Sequence, residues 1–293
     1  MFSGTIGCIA ALGSAAAWAF CSILFRKVGE DVSPAGIMLA NSGIGIIYLG
    51  IALLLAGIGP VDTRTVLTLG LSGLLGLSLG GILFFRALMC LGPKLTVIMG
   101  LSCPIMTIAL AVVLLHERPS PETWLGAGLT LAGITLVLWK RSSSGPRKER
   151  MFPGLVYAAL SALCTAVSMI LAKVGVADIS PLQAAFIRQL WAVLGLALWG
   201  CATSRIKDWL APFREPRLVK LVVFGSFVAM FGGFWLSMMS LKYVDVSVST
   251  TLCMTEPLFI LPFTALLLKE QITWRETAGA LIAFSGVALI FLR

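Results

Sequence analysis

Two carboxylates, Glu256 and Glu270, stand in the stretch LCMTEPLFILPFTALLLKEQITW, Leu252 to Trp274. The first lies within an otherwise apolar run and the second where that run stops. An acid about ten residues inside an apolar run of about twenty sits near the midplane of a bilayer, where it is costly and marks a solute or ion path by default. Pro257 follows directly, and proline cannot donate to the carbonyl four residues back, at Cys253, so a second polar feature lies beside the acid. A carboxyl in such a place can be neutral while its cavity is closed and charged once water enters, which would couple proton movement to transport. The plainer reading bonds Glu256 to a neighbouring hydroxyl, Thr255 or Ser249, as a staple between helices, since a buried polar group needs a partner either way. Depth and the adjacent proline favour the cavity.

The pattern occurs twice. In LSCPIMTIALAVVLLHERPSPETW, Pro104 frees the carbonyl of Gly100 and Glu117 ends the run. Pro104 and Pro257 are 153 residues apart, as are Glu117 and Glu270, Gly126 and Gly279, and Gly133 and Gly286. Four coincidences at one offset define an internal repeat. Cys103 occupies the place equivalent to Glu256, so one titrating acid is expected rather than two. Further forward, Lys27-Val28-Gly29 recurs as Lys173-Val174-Gly175 at offset 146, and Ser33-Pro34 as Ser180-Pro181 at 147.

The repeat nominates further candidates. Ser22 and Ser168 pair at 146, while Ser102 with Thr255 and Thr96 with Ser249 pair at 153. Such hydroxyls either ring a central cavity or let helices pack closely. Arg188 corresponds to Asn41; it pairs with a solute carboxylate or snorkels to the interface, the default also for Arg86 and Lys242. Trp18 and Trp235, near mid-span, line a pocket or touch lipid. Glu117 and Glu270, at span ends, read as structural acids anchoring tight helix–helix turns, and Ser120-Pro121-Glu122 reads as a helix start.

The elements that carry these groups follow from composition. A chain of 293 residues that is 58% hydrophobic and 12% charged, with mean hydropathy +0.99, is a polytopic membrane protein, not a soluble domain. Its net charge of +9 lies in short loops between apolar runs and excludes nothing but a nucleic-acid reading. All seven cysteines fall within apolar runs without a CxxC pair, and the single histidine, His116, sits at a boundary, so neither disulfide nor metal site is expected. The first run has no basic residue ahead of it and reads as a span, not a signal peptide.

Spans are expected near 4–25, 35–57, 66–90, 95–115 and 121–139, then 152–172, 182–203, 218–241, 246–268 and 274–292. The polar stretch KRSSSGPRKERM divides them into a first repeat over 1–141, a linker over 142–151 and a second repeat over 152–293. A second polar stretch, Arg205 to Arg217, carries Trp209 and reads as an interfacial or short amphipathic segment. The fold class is therefore all-α, ten transmembrane helices in two five-helix repeats. Five is odd, so the second repeat runs inverted, with a site near the midplane between the halves. Sixteen of the 22 lysines and arginines fall in loops on the side opposite the N-terminus, which puts both termini outside the cell.

The sequence E-P, an apolar run, L-x-E and G-A-x-x-x-x-x-G resembles the EamA-type carriers of the drug/metabolite transporter superfamily. It reads here as Glu256-Pro257, Leu268-Lys269-Glu270 and Gly279-Ala280 to Gly286. The first half gives Cys103-Pro104, Leu115-His116-Glu117 and Gly126-Ala127 to Gly133. Ser240-Leu241-Lys242-Tyr243 loosely matches the family's A-L-K-Y, and Trp18-Ala19 its W-G. The resemblance covers the whole chain and implies a secondary transporter of the cell (inner) membrane, exporting a small metabolite such as an amino acid or similar organic solute. It also draws the termini in the cytoplasm, against the charge count; both orientations stand. The partners implied are a small-molecule solute, the lipid bilayer and protons, with a homodimer left open; no cofactor, metal or nucleic acid is expected. The alternatives are a non-transporting scaffold, which leaves the buried acid unexplained, and an intramembrane enzyme. The latter would use the Gly70-Leu71-Ser72-Gly73 serine, but the one histidine lies at a boundary, where no general base is in reach.

Overall fold

The structure, a computed structural model, describes residues 2–28, 32–138, 148–268 and 274–291. Glu270 and the 142–147 part of the linker lie outside the described residues. Among the described residues every regular element is helical. The first run forms α1 (Phe2–Val28) and the second α2 (Pro34–Ala56). The Ser33 hydroxyl accepts from Gly36 N at 3.2 Å, with Pro34 opening the helix where its missing N–H costs nothing. The repeated Ser180-Pro181 caps α8 (Pro181–Ala202) in the same way, Ser180 accepting from Gln183 N at 3.2 Å.

The third run differs from its expected boundaries. α3 (Thr63–Ser72) passes through a π-helical segment, Gly73–Leu79, into α4 (Gly80–Gly100) without interruption. The expected loop near residues 91–94 is thus helical, and the break falls at Leu101, before α5 (Ser102–Leu114). A helix broken in lipid exposes backbone carbonyls, so the break sits where a side chain can satisfy one: Ser102 donates to Met99 O at 2.6 Å. α6 (Pro121–Leu138) completes the first half.

The second half begins with α7 (Lys148–Val176), followed by α8. The Arg205–Arg217 stretch folds as α9 (Ile206–Leu210) and a 3₁₀ turn, Ala211–Arg214. Trp209 does not face the headgroups; it is buried where α2 and α8 leave room at Gly36 and Gly200. α10 (Pro216–Phe227) then passes through a second π-helical segment, Val228–Trp235, into α11 (Leu236–Tyr243). The run expected as one span over 246–268 is two helices, α12 (Val246–Cys253) and α13 (Glu256–Leu268), broken at Met254-Thr255. Again a hydroxyl covers the break: Thr255 donates to Leu252 O at 2.7 Å. α14 (Trp274–Phe291) ends the chain.

Among the described residues six helical stretches are long and apolar enough to cross a bilayer, with shorter apolar stretches at Ser102–Leu114, at Val246–Ile260 across the Met254-Thr255 break, and at Thr277–Ile290. The core packs α1, α2, α3, α7, α8 and α11 around Leu49, Leu69, Met230, Met238 and Leu241. α6 and α14 cross with their backbones touching. A Cβ on Gly286 would lie 2.5 Å from Gly126 O, and one on Gly126 would lie 2.7 Å from Gly286 O. Gly133 meets Gly279 O and the Ala283 backbone in the same manner. Four glycines at one offset are therefore one seam. Gly286→Val should push the two helices apart and cost about 3 kcal/mol or more. Loss of the folded, monodisperse fraction in detergent would report it, and a wild-type melting curve would refute the seam.

Candidate functional site

The two π-helical segments are the features sequence reasoning missed, and they are built alike. A π turn widens the helix and displaces carbonyls from their usual donors, and such turns recur at functional sites. Each segment here is clasped at both ends by side chains of a long neighbouring helix. On α7, Ser161 donates to Gly80 O at 2.8 Å and Ser168 to Ser72 O at 2.7 Å. On α1, Ser14 donates to Gly233 O at 2.8 Å and the Cys21 thiol reaches Gly225 O at 3.6 Å. Donors correspond at offset 147 and acceptors at 153, so the bonding pairs Ser168 with Cys21. Ser22, the sequence partner of Ser168 at 146, has a different role. The donors and acceptors recur at the repeat offsets, but the sequence does not say which donor meets which acceptor, and only the three-dimensional register exposes the pairs.

Ser22 instead reaches the acid. Its hydroxyl donates to Glu256 Oε1 at 2.5 Å and is also 2.9 Å from Trp18 O. The bond joins the C-terminal part of α1 to the first residue of α13. Glu256 is half-buried and Ser22 exposed, so the pair is reachable rather than sealed. The staple partners considered from sequence are engaged elsewhere: Thr255 donates to Leu252 O, and Ser249 accepts from Ser240 at 2.7 Å. Aromatic rings of α1 stand nearby. Trp18 meets Phe234 edge-on at 5.0 Å and packs on Gly233, and Phe20 meets Phe263 at 6.0 Å. Trp235 stacks edge-on with Phe231 at 6.3 Å.

Ser102 and Thr255 do equivalent work at offset 153, donating to Met99 O and Leu252 O, so both hydroxyl protons serve the helix breaks. Pro104 and Pro257 sit in the first turn of α5 and α13 just after those breaks. There proline's missing donor belongs to a helix start, and neither residue kinks a continuous helix. Cys103, the counterpart of Glu256, is buried with its sulfur 3.9 Å from Thr107 Oγ1.

Arg188 does not snorkel. It is 2% exposed, with Nη2 donating to Ser168 Oγ at 3.1 Å and Nη1 3.4 Å from Met238 Sδ. Lys242 is likewise tied down, donating to Ile179 O at 2.7 Å. Arg86 stays exposed, its guanidinium 5.7 Å from the ring centres of Tyr157 and Trp199.

Glu117 anchors the molecule at long range, not across its own turn. Its carboxylate accepts from Val246 N at 2.7 Å, Ser247 N at 3.3 Å and Ser247 Oγ at 2.6 Å, capping the N-terminus of α12 from 129 residues away. The left-handed backbone at His116, φ 54°, turns the chain so that the acid points there. Beside it, Lys173 donates to Leu241 O and Val244 O at 2.7 and 2.6 Å, charging the C-terminus of α11. Gly7 of α1 packs on Tyr243 and Val244, so this closure lies at the end where the chain begins.

Helices of this apolarity make the chain a multi-pass integral membrane protein, and its comparisons say of which kind. The model of the EamA-like transporter family matches residues 5–139 and again 152–292; the chain belongs to that family, a multi-pass protein of the inner membrane. It is 27% identical over 283 residues, 96% of both chains, to an uncharacterized transporter of Archaeoglobus fulgidus. It is 28% identical over 147 residues to the uncharacterized inner membrane transporter YhbE of Escherichia coli K12, covering 49% of this chain and 44% of that one. A solved structure titled only "Crystal structure of protein" superposes with a TM-score of 0.76 over 99% of this chain and 96% of its own, at 18% identity, and so shares the fold.

Proposed function

We propose that the chain is a secondary carrier that moves a small organic solute, an amino acid or a similar metabolite, outward across the inner membrane. Ten spans in two inverted five-helix repeats, 1–141 and 152–293, would rock about a site between them. The observation that carries this reading is the Ser22–Glu256 bond: a reachable carboxyl at the start of a broken helix, bonded across to the first helix of the chain. Irregular backbone at membrane depth is tolerated where it borders a cavity, which is how carriers build their midplane sites. In this reading Glu256 and Ser22 bind solute and exchange protons, and Trp18 and Trp235 wall the cavity. Arg188 with Ser168 forms a second polar station, Ser102, Thr255, Pro104 and Pro257 shape the breaks, and Glu117 and Glu270 are structural acids. The outward direction rests on the family likeness.

The test is purified protein in sealed vesicles, offered a panel of labelled amino acids, amines, sugars and organic acids, with and without a pH gradient. Carrier-mediated exchange of at least one solute supports the reading, and accumulation that follows the gradient supports protons as the coupling ion. No exchange across the panel would sink it.

The excess of Lys and Arg opposite the N-terminus puts the linker in the cytoplasm. In a background with Cys201→Ser, a Ser143→Cys carrier should resist a membrane-impermeant thiol reagent in intact cells and react once the cells are opened. Ready labelling in intact cells would reverse the orientation.

A further inference from the structure

Among the described residues Arg188 is a cation without an anionic partner. The residue is 2% exposed, yet among the described residues its hydrogen-bond partners are the neutral hydroxyl of Ser168 and the weakly accepting sulfur of Met238. Its Nε has no hydrogen-bond partner among the described residues. Ser168 cannot offer more, because its own proton goes to Ser72 O. A buried, uncompensated guanidinium is among the costliest groups a fold can hold, and removing an anionic partner from such a charge is strongly destabilising. The repeat-related position carries Asn41, whose Oδ1 is also buried with no hydrogen-bond partner among the described residues.

Backbone of the π turn stands beside the guanidinium. Gly76, in the π-helical segment Gly73–Leu79, faces this group. A Cβ there would overlap Ser168 Oγ and lie 3.9 Å from Arg188 Nη2. Gly76 is itself only half-buried, so the wall beside the guanidinium at this turn is bare backbone. Gln189, the next residue on α8, is 1% exposed with both amide atoms unpartnered.

We propose that Arg188, positioned by Ser168, receives an anionic oxygen group of the transported solute, a carboxylate or a phosphate, at the π turn around Gly76. Planar guanidinium Nε and Nη donors present a fork that fits two oxygens of either group. The charges of the two halves then differ in kind: the second repeat's α8 carries Arg188 where the first has Asn41, and α13 carries Glu256 where α5 has Cys103. A solute bearing an anion, with or without an amine for Glu256, suits this arrangement, and an amine without an anion does not. The inference rests on the carrier reading for the word "transported" and on the enclosed guanidinium for the anion.

The experiment separates the two. Melting of the purified protein in detergent is followed at constant ionic strength in sodium chloride, sodium acetate, sodium phosphate or ethylammonium chloride, for wild type, Arg188→Gln, Arg188→Lys and Ser168→Ala. An anion at about ten times its Kd should raise the wild-type melting temperature by about 3–6 °C. Acetate or phosphate, whichever does so, names the oxygen group; ethylammonium should do nothing. Arg188→Gln should lose the response entirely, Arg188→Lys should keep part of it, and Ser168→Ala should weaken it. In vesicles, Arg188→Gln should lower uptake of acids of the responding class more than tenfold relative to a solute lacking the anion. An equal anion response in wild type and Arg188→Gln overturns the proposal, and so does the absence of any response in wild type, an adventitious-ion response shared by both proteins included. Should Arg188→Gln fail to fold, the lysine and Ser168→Ala proteins decide it in the same assay. An anion response without transport of any solute would leave the site standing and remove the carrier.

Discussion

Glu256→Gln is expected to abolish pH-driven accumulation of solute in vesicles while leaving solute exchange in place. Glutamine keeps the size of the side chain and can still accept from Ser22, whose hydroxyl lies 2.5 Å from the carboxylate. What it cannot do is release a proton. If the acid only stapled α1 to α13, the amide would serve nearly as well, because a neutral hydrogen bond replaces a charged one between the same atoms. If the acid carries the coupled proton, the amide locks it in one protonation state, and exchange, which needs no net proton movement, continues. The first half supplies Cys103 at the equivalent place, buried and paired with Thr107, so no second carboxyl stands ready to take over. Wild-type accumulation, with its pH dependence intact, would make Glu256 structural and move the coupling elsewhere. Ser22→Ala provides the complementary reading. It leaves the carboxyl but removes its donor, and it should shift the pH dependence of accumulation without eliminating it.

What the sequence made legible was whatever recurred or cost energy. The offset of 153 picked out Gly126, Gly133, Gly279 and Gly286 as related positions, and in three dimensions these four residues are the seam between α6 and α14. Glu256 stood out because a carboxyl in an apolar run is expensive, and it does meet a side chain from a distant helix. The repeat offered Ser22 as a candidate hydroxyl through its correspondence with Ser168, but nothing in the sequence ties a serine 234 residues away to Glu256. Arg188 was ambiguous for a related reason: length from the helix start permits snorkelling, and only the packing of α7 and α11 over it, through Ser168 and Met238, decides against that. The π-helical segments were invisible. Gly-Leu-Leu-Gly-Leu-Ser-Leu and Val-Ala-Met-Phe-Gly-Gly-Phe-Trp read as ordinary apolar helix, because the extra residue per turn is fixed by the serine clasps of neighbouring helices and not by local propensity. The same holds for the breaks at Leu101 and Met254-Thr255. Proline marked their vicinity, but the position of each break follows from the hydroxyl that covers the exposed carbonyl.

Glu117→Gln is expected to loosen the contacts at the end where the chain begins and, if the chain works by the alternating access proposed above, to favour the state that opens there. The carboxylate takes three hydrogen bonds at the start of α12, two from backbone N–H groups and one from Ser247. Asp245, the residue preceding that helix, makes no side-chain cap, so the distant glutamate does the capping. Anions at a helix N-terminus gain from the unpaired N–H groups and the helix dipole together. Replacing a charged acceptor with a neutral one should therefore cost this arrangement about 2 kcal/mol, which in the proposed alternating-access cycle changes the ratio of the two states about thirtyfold. Labelling reads the ratio directly. Ser249 lies one turn into α12, 1% exposed, bonded to Ser240. In a Cys201→Ser background, Ser249→Cys should react slowly with a soluble maleimide, and adding Glu117→Gln should speed that reaction by an order of magnitude or more. Melting temperature and retention on gel filtration distinguish opening from unfolding, because opening leaves the folded fraction intact. An unchanged labelling rate in a folded Glu117→Gln protein would mean that Lys173, bonded to Leu241 O and Val244 O, and Lys242, bonded to Ile179 O, hold this end shut without the acid.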